Sequence, residues 1–247
     1  MKKQEQAVLR RILTFVLAAV MICCAFPSSV DAAAVKFSSK STDDARVKAL
    51  DLLMTCGFSV EYSSGGSQGE ATKLTRWEDT INIYVYGKPA KQDLQDLNKF
   101  LMEIAVHCPN MPNIRLVESE SESNVTIWYG PLKEMKDHLL SYTDGNWGYF
   151  SYLHSGYTMT RGTIAIATDV NNAASKKHLL QEELVGLFGL TNDHDRYSDS
   201  ILYQAWTTTP QLCDVDWLML NMLYDPDLRP GMTAKEAYNI LEAKIWA

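Results

Sequence analysis

The spacing of hydrophobic residues changes several times along the chain, and each change predicts an element of secondary structure. Apolar residues recur every three or four positions after Thr42 and Asp43, which can cap a helix that runs to about Cys56. Runs of β-branched and aromatic residues predict four strands: Ile81–Tyr86, Ile114–Val117, Val125–Tyr129 and Thr163–Thr168. Helical spacing returns in four further stretches: 92–107, 175–189, 214–223 and 234–245.

Strands with helices laid on one face predict an α+β domain. We expect a single domain over residues 42–247, after a flexible start at residues 34–41, because no linker and no internal repeat divides that stretch. The segment 141–160 is rich in glycine and aromatic residues and has an irregular pattern, which is typical of functional loops. Thr233 with Glu236 three residues later predicts a capping box at the start of the last helix.

The first residues have the three-part layout of a secretory signal peptide. Basic residues stand at the start, an apolar run covers Ile12–Phe26, and small residues surround Ala32. The apolar run is shorter than the ~20 residues that a membrane span needs. The pattern therefore predicts a signal peptide over residues 1–33, and a secreted, extracytoplasmic protein that has no membrane contact after cleavage.

The charge of the chain bears on its partners. Removal of residues 1–33 takes four basic and two acidic residues from a net charge of −7, which leaves −9. Binding to nucleic acid rests on neutralising phosphates, so an acidic protein of this kind is not expected to bind it.

Three cysteines remain after the predicted cleavage, namely Cys56, Cys108 and Cys213. No CxxC pair occurs, which argues against a zinc site of the cysteine type. Two interpretations stay open. Cys56 and Cys108 each lie near the end of a predicted helix and would form a disulfide, or all three cysteines are free thiols.

The stretch HLLQEELVGLFGLTNDHD, at residues 178–195, has the layout of a zinc-hydrolase active-site helix. In that class two histidines four residues apart hold the metal, and a glutamate beside the first histidine activates water. A glycine then ends the helix, and the chain turns back with a third ligand. With Gly189 as that glycine, the three ligand positions of the pattern fall on Glu182, Gly186 and Asn192. The position of the glutamate that activates water falls on Glu183.

The catalytic glutamate position is therefore retained as Glu183, whereas the metal-binding histidines of the pattern are absent. Gly186 has no side chain to offer, and the remaining oxygen ligands suit a harder divalent cation better than zinc. An alternative metal site would use His178, Glu182 and His194, with two ligands on one helix face and the third beyond the turn. In the other interpretation His178 lies on an exposed helix surface and His194 in a solvated loop, and no cofactor is expected.

Four segments resemble an uncharacterised family of secreted bacterial proteins that has only a domain-of-unknown-function label. They are RWEDTINIYVYG at 76–87, QEELVGLFGLTND at 181–193, DSILY at 199–203 and LYDPDLRPGM at 223–232. That family is similar to the metzincin branch of the zincin fold, and its members usually carry glutamine at the position of Gly186. The resemblance implies a zincin-like mixed sheet with Thr163–Thr168 as the edge strand of a substrate cleft. Met232 would then lie in a turn like the methionine turn of metzincins, or in an ordinary turn with a buried methionine.

Two functions are compatible with this pattern. The absence of the histidines favours a non-catalytic protein with a degenerate metal site, which binds a peptide or a cell-envelope component in the cleft. The alternative is an active secreted metallopeptidase with Glu183 as general base. The residues expected to line the cleft are Glu182, Asn192, Asp193, Tyr197 and Tyr203, with Trp206 beside them.

Overall fold

The computed structural model describes residues 39–60 and 70–246. The predicted signal peptide at residues 1–33 lies outside the described residues, as do most of the predicted flexible start and the glycine-rich loop at 61–69. Within the described ranges, no helix is both long enough and apolar enough to cross a membrane.

A mixed five-stranded sheet forms the centre of the fold. It is preceded by a short antiparallel pair, β1 (Ser59–Val60) and β2 (Glu70–Ala71). The strands of the main sheet are β3 (Ile81–Gly87), β4 (Ile114–Leu116), β5 (Val125–Gly130), β6 (Gly148–Ser155) and β7 (Thr158–Ala167). Their order across the sheet is β4-β3-β5-β7-β6, and all neighbours are parallel except β6 and β7, which are antiparallel.

Strand β6 lies in the segment 141–160, where the sequence predicted an irregular loop. It joins β7 through Gly156 and Tyr157, whose φ angles of 58° and 69° are typical of a tight two-residue hairpin turn. Because β6 pairs with the outer side of β7, the strand predicted at Thr163–Thr168 is an inner strand. The expectation that it forms the edge of the sheet is therefore wrong.

The described residues form five α-helices, and all of them were predicted to within a few residues. The helices are α1 (Ser39–Cys56), α2 (Lys91–His107), α3 (Ala173–Leu187), α4 (Asp214–Leu223) and α5 (Ala234–Ile245). Two short 3₁₀ segments lie at Glu120–Glu122 and Leu132–His138. The capping box of α5 is confirmed, because Thr233 Oγ1 accepts from Glu236 N at 3.3 Å and Thr233 N donates to Glu236 Oε2 at 2.8 Å.

Helix α3 is buried on nearly all sides. It packs against β6, β7 and α2, and apolar residues surround its axis rather than form one stripe, as expected of an interior helix. The helix lies close to the sheet at Gly162 of β7, where an added Cβ would be 2.6 Å from Leu187 Cδ1. This central position buries Glu183 inside the fold, whereas Glu182 is half-buried.

The three cysteines of the described residues are free thiols, so the Cys56–Cys108 disulfide is not formed. Cys56 ends α1, whereas the Cys108 sulfur lies 3.8 Å from Asn221 Nδ2 on α4. Burial raises the pKa of the Cys56 thiol, and it raises the pKa of Cys108 and of Cys213 to about 12. All three thiols are therefore protonated at neutral pH and suited to packing rather than to nucleophilic chemistry.

Candidate functional site

The C-terminal end of α3 is held by side chains from two distant segments. Trp77 Nε1 donates to the Leu187 carbonyl at 2.9 Å, and Tyr224 Oη donates to the Phe188 carbonyl at 2.8 Å. Gly189 follows with φ 120°, and a Cβ there would lie 2.6 Å from the Thr75 carbonyl oxygen. The end of the helix at Gly189 was predicted, and these contacts are its physical reason.

Arg76 joins the segment RWEDTINIYVYG to the segment LYDPDLRPGM. Its guanidinium is buried and donates to the carbonyls of Leu223 at 2.7 Å and Leu228 at 2.8 Å, and its Nε donates to Glu78 at 2.7 Å. The arginine therefore satisfies carbonyls where α4 ends. These two segments, residues 76–87 and 223–232, meet at the C-terminal end of α3, and we call them the support.

Met232 belongs to the same support and does not line the cleft described below. Its carbonyl accepts from Leu74 N at 2.9 Å, and Gly231 N donates to the Leu74 carbonyl at 2.9 Å. Its half-buried side chain packs against the main core. This arrangement agrees with an ordinary turn that holds a packed methionine.

The segment DSILY is fixed by a buried carboxylate. Asp216 accepts from Ser200 Oγ at 2.5 Å, and from the backbone nitrogens of Ile201 and Cys213 at 2.9 Å each. Burial raises the pKa of Asp216, although these donors oppose that effect. The segment after α3 is thus anchored to the start of α4, and this anchor sets the position of residues 202–207.

A cleft of about 740 Å³ opens between β6, α3 and the segment 190–207. Helix α3 forms its floor, β6 forms one wall, and residues 202–207 form the opposite wall. Among the described residues that line the cleft, the acidic ones are Glu182, Glu183 and Asp193, and none is a lysine or an arginine. The cleft is therefore acidic and has an aromatic rim.

Strand β6 is the last strand of the sheet on the cleft side. Trp147 O accepts from Ala167 N at 2.9 Å, and this bond fixes the phase of the β6–β7 ladder. Bonded positions alternate in an antiparallel pair, so every second residue of β6 directs its backbone N–H and C=O away from β7. Those residues are Gly148, Phe150 and Tyr152.

Gly186 faces the ring of Phe150. A Cβ added at Gly186 would lie 2.5 Å from Phe150 Cε1 and 2.9 Å from its Cζ, which is closer than carbon atoms approach. The ring therefore fills the space that a ligand side chain would need at this position of the zinc-helix template. Glu183 packs in a similar way on Gly148, where an added Cβ would lie 2.7 Å from Glu183 Oε1.

Of the residues predicted to line the cleft, Glu182, Asp193, Tyr203 and Trp206 do so, together with Glu183. Asn192 and Tyr197 are not part of the cleft wall. Asn192 lies beside Met54 and Phe58 in a second depression, and its backbone N–H donates to the Cys56 carbonyl at 3.1 Å. The turn at Gly189 thus carries Asn192 to the α1 side of the molecule.

His178 and His194 are 2% and 4% exposed, so the interpretation that places them on an exposed surface and in a solvated loop is wrong. His178 lines the cleft and is engaged by the protein. Its Nδ1 donates to the Thr209 carbonyl at 3.0 Å, and its Nε2 lies 3.5 Å from Glu182 Oε2. Burial lowers the pKa of His178, because the desolvated ring disfavours a charge. At neutral pH it is a neutral histidine whose Nδ1 proton fixes the segment at Thr209.

His194 is held by the loop that follows α3. Its backbone pairs with Leu202 and Gln204, and its Nδ1 accepts from Arg196 N at 3.2 Å. The ring lies between Tyr197 and Tyr203. Burial lowers the pKa of His194, with a smaller contribution from Arg196.

The residues of the helix template do not fit a zinc ion. In the ranges 39–60 and 70–246, no three His, Cys, Asp or Glu side chains are grouped so that they could hold a metal. The second ligand position is filled by the Phe150 ring, and the third, Asn192, lies outside the cleft. The alternative set of His178, Glu182 and His194 is not assembled either.

The residues that sequence reasoning missed are those of β6. Gly148, Phe150 and Tyr152 form the wall of the cleft opposite residues 202–207. A signal was present, because the run GYFSYLHS has aromatic residues at alternate positions between Gly145 and Gly156. That alternation is the period of a strand, and the flanking glycines mark its ends.

These features define a mixed α/β domain with a cleft between an antiparallel edge strand and a buried helix. The chain belongs to the family described as protein of unknown function (DUF2927), which matches residues 51–243. A search of curated proteins finds no match. The structure is similar to the solved structure of myroilysin, with a TM-score of 0.41 and 13% identity over 62% of this chain and 97% of that chain. A likeness of that size carries no statement about activity.

Proposed function

We propose that this protein is a non-catalytic binding protein that takes an extended peptide segment into the cleft as an added strand on β6. The observation that carries the proposal is that β6 is the outer strand of the sheet and at the same time a wall of the cleft. A buried helix beneath an antiparallel edge strand also agrees with a zincin-like arrangement. With the signal peptide that the sequence predicts at residues 1–33, we expect the peptide to be met outside the cytoplasm, free or as part of the cell envelope.

The backbone of β6 is suited to such pairing. Gly148, Phe150 and Tyr152 direct their N–H and C=O groups away from β7, and groups of this kind are a template for another strand. Backbone pairing would supply affinity with little regard to sequence, whereas pockets along the cleft would select side chains.

The binding function needs no metal. Phe150 and Gly186 form a packed contact where the zinc-helix template requires a ligand, so this part of the site is built for packing. Glu183, at the general-base position, lies against the backbone of β6 beside Gly148, and we assign it a role in shaping the wall.

Edge pairing is tested with a soluble heptapeptide of alternating threonine and valine with a central lysine. Two isomers are N-methylated at adjacent positions, so that only one loses an N–H that faces β6. We expect one isomer to bind about tenfold more weakly than the parent and the other to bind like the parent. Equal effects of both methyl groups would contradict strand addition.

The metallopeptidase alternative is tested on the same purified protein. Stoichiometric zinc by elemental analysis, with cleavage of the heptapeptide that is abolished by Glu183→Gln, would replace the binding proposal. We expect neither bound zinc nor cleavage, and we expect Glu183→Gln to leave the peptide intact as the parent protein does.

A further inference from the structure

We propose that the end of the cleft between Trp147, Trp206 and Glu182 takes a lysine or arginine side chain of the bound peptide. This inference rests on the proposed function, because strand addition to β6 is what brings a peptide side chain to this place. It goes further by naming the chemical class that the cleft selects.

Two tryptophans meet across the end of the cleft. Trp147 directly precedes β6, and Trp206 lies in the opposite wall. Their rings are 5.4 Å apart at 74°, although Trp147 is 42% exposed and Trp206 is 56% exposed. Large aromatic side chains that stay exposed beside a cavity are typical of binding surfaces rather than of cores.

The ring of Trp206 contacts a buried histidine of α3. The His178 ring lies 6.1 Å from the Trp206 ring at 70°, and His178 in turn bonds the Thr209 carbonyl. A buried histidine on α3 thus holds the segment 206–209 in place. The indole is therefore positioned before any ligand arrives, which reduces the entropic cost of binding.

A carboxylate completes the set. Glu182 is on the same face of α3, one turn after His178, and its Oε2 lies 3.5 Å from His178 Nε2. Burial lowers the pKa of His178, so this histidine is neutral at neutral pH and brings no positive charge to this part of the cleft. Indole faces and a carboxylate at one end of a cavity are the chemistry that recognises an ammonium or a guanidinium group.

The charge of the whole cleft favours the same ligand. Three carboxylates line it, and the described lining contains no lysine or arginine. A peptide with acidic side chains would meet like charge in a confined space, whereas a basic one would be attracted from solution. Charge complementarity therefore favours a basic extended peptide as the occupant.

The test compares two heptapeptides of alternating threonine and valine that differ only in their central residue, lysine or glutamine. Fluorescence titration of the purified protein with labelled peptides gives both affinities. We expect the lysine peptide to bind about tenfold more tightly than the glutamine peptide. Glu182→Gln is expected to remove that preference, and Trp206→Ala to reduce it.

Matched variants outside the cleft serve as controls. Glu118→Gln removes the same charge from an exposed segment, and Trp246→Ala removes an indole that is 66% exposed at the end of α5. Both are expected to keep the preference for lysine. Nα-acetyl-lysine amide, added alone, is expected to bind far more weakly than the heptapeptide, since it lacks the strand.

The outcomes separate this inference from the proposal beneath it. Equal binding of both heptapeptides, with the N-methyl effect intact, would overturn the cation subsite and leave strand addition standing. Absence of binding by either peptide would overturn both. A lysine preference that survives Glu182→Gln and Trp206→Ala would overturn this location, and tight binding of acetyl-lysine amide would overturn the peptide as its source.

Discussion

Two regions next to helix α3, the support at its C-terminal end and the cleft, differ in what their side chains do. At the C-terminal end, Trp77 and Tyr224 donate hydrogen bonds to the last carbonyls of the helix, and Arg76 donates to the Leu223 carbonyl at the end of α4. On the cleft side, two exposed tryptophans and an outer strand border an acidic cavity. The first region is closed by internal bonds, whereas the second leaves outward-facing backbone groups and aromatic side chains at the surface of a cavity.

This difference changes the meaning of the most recognisable segments of the sequence. RWEDTINIYVYG and LYDPDLRPGM meet at the C-terminal end of α3, whereas DSILY is fixed by Asp216 at the start of α4. The first two of these segments lie outside the cleft and therefore identify the fold rather than its chemistry. The cleft is lined by β6, which carries none of the four segments, but also by Glu182, Glu183 and Asp193 of QEELVGLFGLTND and by Tyr203 of DSILY.

A large effect on stability is expected from removing the buried arginine, Arg76. Arg76→Met keeps the bulk of the side chain but leaves buried carbonyls of residues 223 and 228 without a donor. We expect the free energy of unfolding to fall by about 2–5 kcal/mol, as measured by urea denaturation. The exposed Arg115→Met is the control and should change stability by less than about 0.5 kcal/mol. A similar loss of unfolding free energy in both variants would contradict the stabilising role of the Arg76 hydrogen bonds.

A smaller effect is expected where the two regions meet, at Gly186. Gly186→Ala forces a methyl group against the Phe150 ring, and we expect a loss of about 1–3 kcal/mol. The double variant with Phe150→Ala should recover a part of this loss, because the ring that causes the clash is gone. Strictly additive losses in the double-mutant cycle would show that Gly186 and Phe150 do not share that space.

The two buried histidines give the molecule a defined pH dependence. Burial lowers the pKa values of His178 and His194 below the ordinary value of 6.5. Between those values and 6.5 the unfolded chain binds more protons than the folded protein, so stability falls as the pH falls below 6.5. We expect less than about 1.4 kcal/mol per pH unit for each histidine.

Replacing both histidines by glutamine should flatten this part of the pH profile of stability. The measurement is urea denaturation at several pH values between neutral and acidic. An unchanged slope in the double variant would show that other groups cause the dependence.

The smallest effect on stability is expected in the cleft itself. Trp206→Ala should change the free energy of unfolding by less than about 0.5 kcal/mol, because its side chain is more than half exposed. Trp77→Ala in the support should cost about 3–5 kcal/mol, since that ring is fully buried. If the two substitutions lower the free energy of unfolding by the same amount, the distinction between the support and the cleft surface would be contradicted.

The order of elements could be predicted from the sequence because their apolar spacing is regular. The strands β3, β5 and β7 contain runs of β-branched and aromatic residues, and Thr233 with Glu236 is a local capping signal. Strand β6 was missed because only one of its faces packs on α3, and its Tyr, Ser and His residues give no apolar run. The wrong edge strand followed directly from that omission.

The candidate site was predictable only in part, for a related reason. Glu182 and Glu183 follow from the helical pattern and its end at Gly189. The position of Asn192 depends on the hydrogen bond from its backbone N–H to the Cys56 carbonyl at the end of α1. The position of His194 depends on its backbone pairing with Leu202. Such long-range contacts leave no local signal in the sequence.

Amide hydrogen exchange, read residue by residue by NMR with and without the lysine heptapeptide, tests the central claim most directly. The account predicts slower exchange at Gly148, Phe150 and Tyr152 when the peptide is bound, because their outward N–H groups gain partners. The intervening amides of Tyr149 and Ser151 already face β7 and should change little. Protection at those two amides alone, or binding that leaves all of β6 unchanged, would contradict strand addition in the cleft.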